Sequence, residues 1–127
     1  MDYQNFIQRI KELGFMKSQE RADAAIKAVL GILASSMRDE QAREMTRQFP
    51  SQISYDKLRG HQKRVALMIP VSEYIEEIAR QFDISEDDAL RLIDTVMHSA
   101  KTFLSGKTIE DMKAVLPIDW ADLIERA

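Results

Sequence analysis

The chain has 127 residues, of which 45% are hydrophobic and 31% charged, and its net charge is −3. That length buries roughly two-thirds of the unfolded surface in one domain, and the balance is globular, not disordered. Cysteine is absent, which removes disulfides, thiolate chemistry and cysteine zinc sites together; with no basic-flanked apolar leader and no apolar run of membrane length, a cytoplasmic protein without membrane association is expected.

Asp2 is placed to cap a first helix, on which Tyr3, Phe6, Ile7, Ile10 and Leu13 share one face before Gly14 supplies a left-handed stop. Ser18 opens a second helix with the stripe Ala22, Ala25, Ile26, Val29, Leu30, Leu33 and Met37. A short third helix follows from about Asp39, turning Ala42, Met45 and Phe49 inward until Pro50 ends it. Residues 51–70 form a connector. Within it Leu58, Gln62, Val65 and Ile69 keep helical spacing, so a helix is expected through much of Leu58 to Met68.

Ser72 is the expected cap of the next helix, which carries Val71, Tyr74, Ile75, Ile78 and Phe82 on one face. Ser85 with Asp88 resembles a capping box and starts a long helix burying Ala89, Leu92, Ile93, Val96, Met97, Ala100 and Leu104. Gly106 is expected to stop that helix and Thr108 to begin another, with Asp111 three residues on. Beyond Pro117, Asp119 caps a last turn that puts Trp120, Leu123 and Ile124 on one side. Neither sustained alternation nor an Asn-Gly or Asp-Gly hairpin signal occurs, so no strand is expected.

The two halves use the same grammar, sixty-seven positions apart. Ser18 answers Ser85, Ala22 answers Ala89, Ile26 answers Ile93, Val29 answers Val96, Met45 answers Met112 and Pro50 answers Pro117. Leu30 with Met97, Met37 with Leu104 and Phe49 with Leu116 keep the phase between them. Half the chain alone has too little core to be stable without a disulfide or metal, so two copies packed face to face are the economical solution. The expected fold is all-α: two three-helix repeats related by a pseudo-twofold axis, packed as a compact bundle. Residues 1–127 then form a single domain, with a first repeat at 1–50, the connector at 51–70 and a second repeat at 71–127.

These residues resemble a bacterial family catalogued as domain of unknown function 2267. The carriers are Asp2-Tyr3, Phe6-Ile7 and Ile10, then Ala22 to Leu33, Tyr74-Ile75-Ile78, Ala89 to Val96, and Leu116-Pro117 with its short acidic tail. The likeness spans nearly the whole chain and consists of packing signatures. It departs where the first unit closes in Phe49-Pro50, and where the connector lacks a tryptophan- and proline-bearing segment. The family carries no agreed activity, so the resemblance implies an architecture and no catalytic residue.

Residue chemistry points away from catalysis. His61 and His98 are the only histidines and lie thirty-seven positions apart, with His98 off the buried stripe. Glu86-Asp87-Asp88 and Glu110-Asp111 are expected in first turns of helices, where exposed N–H groups favour negative charge, while Glu76-Glu77 diverge around their helix. Glu-x-x-His pairs, a phosphate loop and a nucleophile elbow are all missing. No catalytic residue, cofactor or metal is therefore expected. Met37, Met45, Met97 and Met112 fall on stripe positions and read as core, and Trp120 reads as a plug in the seam between the repeats, with a partner anchor as the alternative.

Charge is informative only in the connector, where Lys57, Arg59, Lys63 and Arg64 surround His61 with no acid between them. The expected function is a non-enzymatic helical protein-interaction module whose partner is a protein, a homodimer included. The alternative is weak nucleic-acid association through the basic connector 57–64, and an enzyme comes third.

Overall fold

A computed structural model describes residues 1–61 and 69–127. The described residues form eight α-helices and no strand. The first, α1 (Tyr3–Lys11), starts where the Asp2 carboxylate accepts from the Asn5 N–H at 2.8 Å. It buries Tyr3, Phe6, Ile7 and Ile10, while Leu13 beyond its end is half-buried. Gly14 follows at φ +92, a conformation that costs an L side chain about 1–2 kcal/mol.

The second, α2 (Gln19–Ser35), is capped by the Ser18 hydroxyl, which accepts from the Arg21 N–H at 3.0 Å. Its sequence stripe is buried as expected, but so are Ala28, Gly31, Ile32 and Ala34 on the opposite side. A segment apolar all round is interior, so the second half of α2, buried throughout from Ala28 to Ala34, lies in the core. The third, α3 (Asp39–Arg47), buries Ala42 and Met45, and Phe49 just past its end is also buried. A 3-10 turn (Ser51–Ile53) then leads into α4 (Tyr55–His61), whose Leu58 is fully buried. The connector helix thus begins earlier than its apolar spacing implied, and the rest of the expected Leu58–Met68 segment lies outside the described residues.

The second half holds α5 (Val71–Phe82), α6 (Glu86–Lys101), α7 (Gly106–Val115) and α8 (Ile118–Arg126). Three boundaries differ from the sequence reading. Ser72 is not a cap: extended Pro70 precedes α5, and the Val71 N–H donates 2.9 Å to the carboxylate of Asp119, which comes from α8. Gly106 is not a stop but the first residue of α7, because Ser105 is the cap and accepts from the Thr108 N–H at 3.1 Å. With α7 starting there, Glu110 and Asp111 lie in mid-helix, so the helix dipole does not account for them. Glu86, Asp87 and Asp88 do occupy a first turn, below the Ser85 cap. Asp119 is not the cap of the last turn: Pro117 holds that position and Asp119 is the second residue of α8, a full helix burying Trp120, Leu123 and Ile124.

The helices close into a compact all-α bundle around α2 and α6, which touch. In this bundle α1 packs on α2 and α6, α5 packs on α6 and α2, and α3 meets α7. Tyr74 is fully buried and donates its hydroxyl to the Val29 carbonyl at 2.7 Å, a polar tie from α5 to α2. Burial pushes its phenol well above the ordinary range. Trp120 stacks on Tyr74 with centroids 4.6 Å apart and donates its indole N–H to the Ile69 carbonyl at 2.7 Å. The ring between first-half and second-half aromatics is instead Phe103, 6.1 Å from Phe6 and 6.3 Å from Phe49.

Candidate functional site

Among the described residues a polar recess lies where α3 and α7 run past each other. Gln41 near the start of α3 donates 3.2 Å to the Asp111 carbonyl. Gln48 at its other end donates 2.7 Å to the Thr108 hydroxyl and accepts from the Ser105 N–H at 2.7 Å. These bonds make the two helices antiparallel and let one glutamine amide satisfy the exposed start of α7. They leave a cleft of about 280 Å³ between Arg38, Glu40 and Glu44 on one wall and Thr108, Asp111 and Val115 on the other.

Helical spacing arranges this surface in rows. Lys107, Asp111 and Val115 follow at intervals of four along α7, about 6 Å apart, and Glu40 and Glu44 do the same on α3. The Glu44 and Asp111 carboxyl-bearing side chains are 53% and 54% exposed, so both walls offer a solvated carboxylate. Lys107 Nζ lies 2.9 Å from Asp111, and this hydrogen bond, with the charges of Asp111 and Glu44, raises the ammonium pKa above its ordinary value. Glu44 also pairs with Arg47. Val115, which lines the cleft, is 57% exposed, and Ile118, three residues on at the start of α8, is 80% exposed.

Thr108 is buried and its hydroxyl is engaged by Gln48 and Ser105, so it is a structural group and no free nucleophile. Among the described residues no group of three or more His, Cys, Asp or Glu side chains is placed to hold a metal ion. Likewise, no helix there is long and apolar enough to cross a membrane.

The residues singled out from sequence are dispersed. Lys57 is exposed on α4 beside exposed Asp56, and Arg59 and His61 belong to the same helix. Lys63 and Arg64 lie outside the described residues. Trp120 is wholly buried against Tyr74, leaving no ring face for a partner. His98 is exposed on α6. Sequence reasoning missed Glu44, Asp111, Val115 and Ile118. A signal was present: Gln41 with Thr108, and Glu44 with Asp111, are also sixty-seven positions apart.

Residues 3–123 match the model of a family described as "Uncharacterized conserved protein (DUF2267)". The chain belongs to this family. No curated protein and no solved structure matches the chain. The DUF2267 match runs from the start of α1 into α8 and contains both walls of the cleft. The family description names no activity, so the site's chemistry rests on its geometry.

Proposed function

We propose that this DUF2267 protein is a non-enzymatic protein-interaction module that docks a partner along the α3/α7 cleft and the corner leading into α8. The observation that carries this reading is the pair of large apolar side chains, Val115 on the wall of the cleft and Ile118 three residues on, which with Met1 and Leu90 are the exposed large hydrophobics among the described residues. Single exposed apolar residues are ordinary, but two within three residues, one of them lining a recess, favour a contact surface. Replacing Ile118 by Glu in the full chain tests it. The folded variant should lose a protein that the wild type retains on affinity capture, and equal retention would refute the reading.

The same proposal includes duplication: two helical units in one domain, related by a pseudo-twofold axis that passes between α3 and α7. Support comes from reciprocal packing. The Arg21 guanidinium lies 5.6 Å from the Phe82 ring centroid and Arg91 lies 5.6 Å from that of Phe15, and the two phenylalanines are sixty-seven positions apart. Each unit then gains a fourth helix, α4 or α8, after its closing proline. Nucleic-acid association through Lys57 and its basic neighbours remains the alternative. It requires saturable binding to duplex DNA that falls steeply with salt.

A further inference from the structure

Resting on the docking and duplication proposed above, we infer that the α3/α7 cleft takes the carboxamide of a glutamine side chain, presented by a partner protein next to an apolar residue. The molecule itself shows how such a group is held. At the start of α7 the Gln48 amide is bonded through both its polar atoms. Its oxygen accepts from the Ser105 N–H at 2.7 Å, and its nitrogen donates 2.7 Å to the Thr108 hydroxyl. Sixty-seven positions from Ser105, Thr108 and Gln48 stand Arg38, Gln41 and Val115, and all three line the cleft. The cleft is thus the start of α3 with a valine in the glutamine's place.

The groups that Gln48 satisfies at one end are open at the other. Arg38 and Ser105 share one extended conformation, φ −63 and ψ 151 against φ −70 and ψ 155. Ser105 caps α7 with its hydroxyl, whereas no side chain caps α3. Among the described residues the Arg38 N–H finds no acceptor and the Gln41 side-chain oxygen no donor. A guest amide answers both, its oxygen on the N–H and its nitrogen on the Gln41 oxygen. Glu40, Glu44 and Asp111 border the same space, so a guest carboxylate meets like charge and a neutral amide does not. The corner beyond the cleft asks for an apolar neighbour on the guest. Ala114, Val115 and Ile118 stand there, where the first half has Arg47, Gln48 and Ser51. Polar residues therefore suffice for that corner of the fold, and the apolar set is free to serve a contact.

The test follows the backbone N–H signals of Arg38 and Gln41 by NMR in the isotope-labelled full chain. The probe is a short peptide, blocked at both ends, with Gln next to Leu. A saturable shift of the Arg38 signal is expected in the millimolar range. Glu or Met in place of the peptide Gln should weaken binding about tenfold or more, because both hydrogen bonds are lost. Val115→Gln should fill the cleft from within. Without peptide its Arg38 N–H then exchanges more slowly with solvent, its thermal midpoint rises by about 2–5 °C, and the peptide no longer binds.

No saturable shift, equal affinity for the Glu or Met peptide, or unchanged binding to Val115→Gln overturns the inference. Free glutamine binding as tightly as the peptide also overturns it, by making the cleft a small-molecule site. So does a concentration-dependent dimer that Val115→Gln abolishes, which seats a second copy there. If Ile118→Glu loses a captured protein while the glutamine peptide fails to bind, the docking reading stands and only the identity of the guest falls.

Discussion

The helices α2 and α6 occupy matched places in the chain, yet they are solvated differently. From Ala28 to Ala34 every residue of α2 is buried, whereas Arg91 and His98 of α6 are exposed and Asp94 and Thr95 are half-buried. The helix that follows each closing proline makes the difference. Among the described residues α4 packs on α2 more extensively than any other pair, and its cover matches small residues, Ala28 and Gly31, where α6 has Thr95 and His98. Its counterpart α8 leans chiefly on α7, also touching α5 and α6, and fills its space with Trp120 where the first half has Ile53. Positions sixty-seven apart thus fall on a sealed helix in the first half and on a helix with one open face in the second.

The largest effects should come from those two fillers. Trp120→Ala removes a fully buried indole and its bond to the Ile69 carbonyl, and should cost about 3–5 kcal/mol. Ile53, also fully buried, should cost about 2–5 kcal/mol as Ala, toward the low end because less volume is lost. Urea unfolding of both variants gives the comparison. A larger loss at Ile53 would mean that α8 is the less committed of the two closing helices.

Next in size is a pair aimed at the open face. Ala28→Leu overpacks the buried back of α2 and should cost about 1–3 kcal/mol. Thr95→Leu, sixty-seven positions on and half-buried, should stay within about 0.5 kcal/mol. Equal losses by thermal unfolding would erase the distinction between sealed and open halves.

Much of the core was legible because its signals are local. The caps Asp2, Ser18 and Ser85 each receive an N–H three residues on, and the stripes of α1, α2 and α6 are buried almost as their spacing dictates. What escaped depends on residues distant in the chain. Asp119 ties down the start of α5 from forty-eight positions away, and Gln48 satisfies the start of α7 from fifty-seven. The cleft escaped for the same reason: Glu44 and Asp111 look like ordinary surface carboxylates until α3 and α7 are set antiparallel. Glu110-Asp111 also shows how one misplaced boundary spreads, since moving the start of α7 to Gly106 takes both acids out of the first turn.

A smaller effect tests how the halves are tied together. Tyr74→Phe deletes the hydroxyl donated to Val29 and should cost about 0.5–1.5 kcal/mol. The folded state holds the Tyr74 proton more tightly than the unfolded chain, in which the phenol loses it near pH 10. Between those values the native state binds more protons, so stability is present below about pH 10 and falls as pH rises above it. Tyr3, raised by burial and by its bond to Asp23, acts in the same direction. The wild-type unfolding midpoint should therefore drop on the alkaline side, and Tyr74→Phe should drop less steeply. Parallel pH curves for the two proteins would show that the phenol does not carry the dependence.

A last pair of changes, opposite in sign, is expected at the corners that join each opening helix to its long helix. The first half turns through Gly14 at φ +92, the second through Asp83 at φ +54, the only non-glycine residue with positive φ among the described residues. A side chain there costs about 1–2 kcal/mol relative to the right-handed region, less for Asp than for most residues. Glycine removes that cost but gives back about 0.5–1 kcal/mol through the greater freedom of the unfolded chain. Asp83→Gly should thus stabilise by a few tenths to about 1 kcal/mol. Gly14→Ala should destabilise instead. An added Cβ at Gly14 meets no atom within 4 Å, so its loss of about 1–2 kcal/mol is conformational and not steric. Thermal midpoints moving in opposite directions would establish that the two corners perform the same turn with different residues. A loss at Asp83→Gly would instead assign the carboxylate a stabilising contact larger than the strain it imposes.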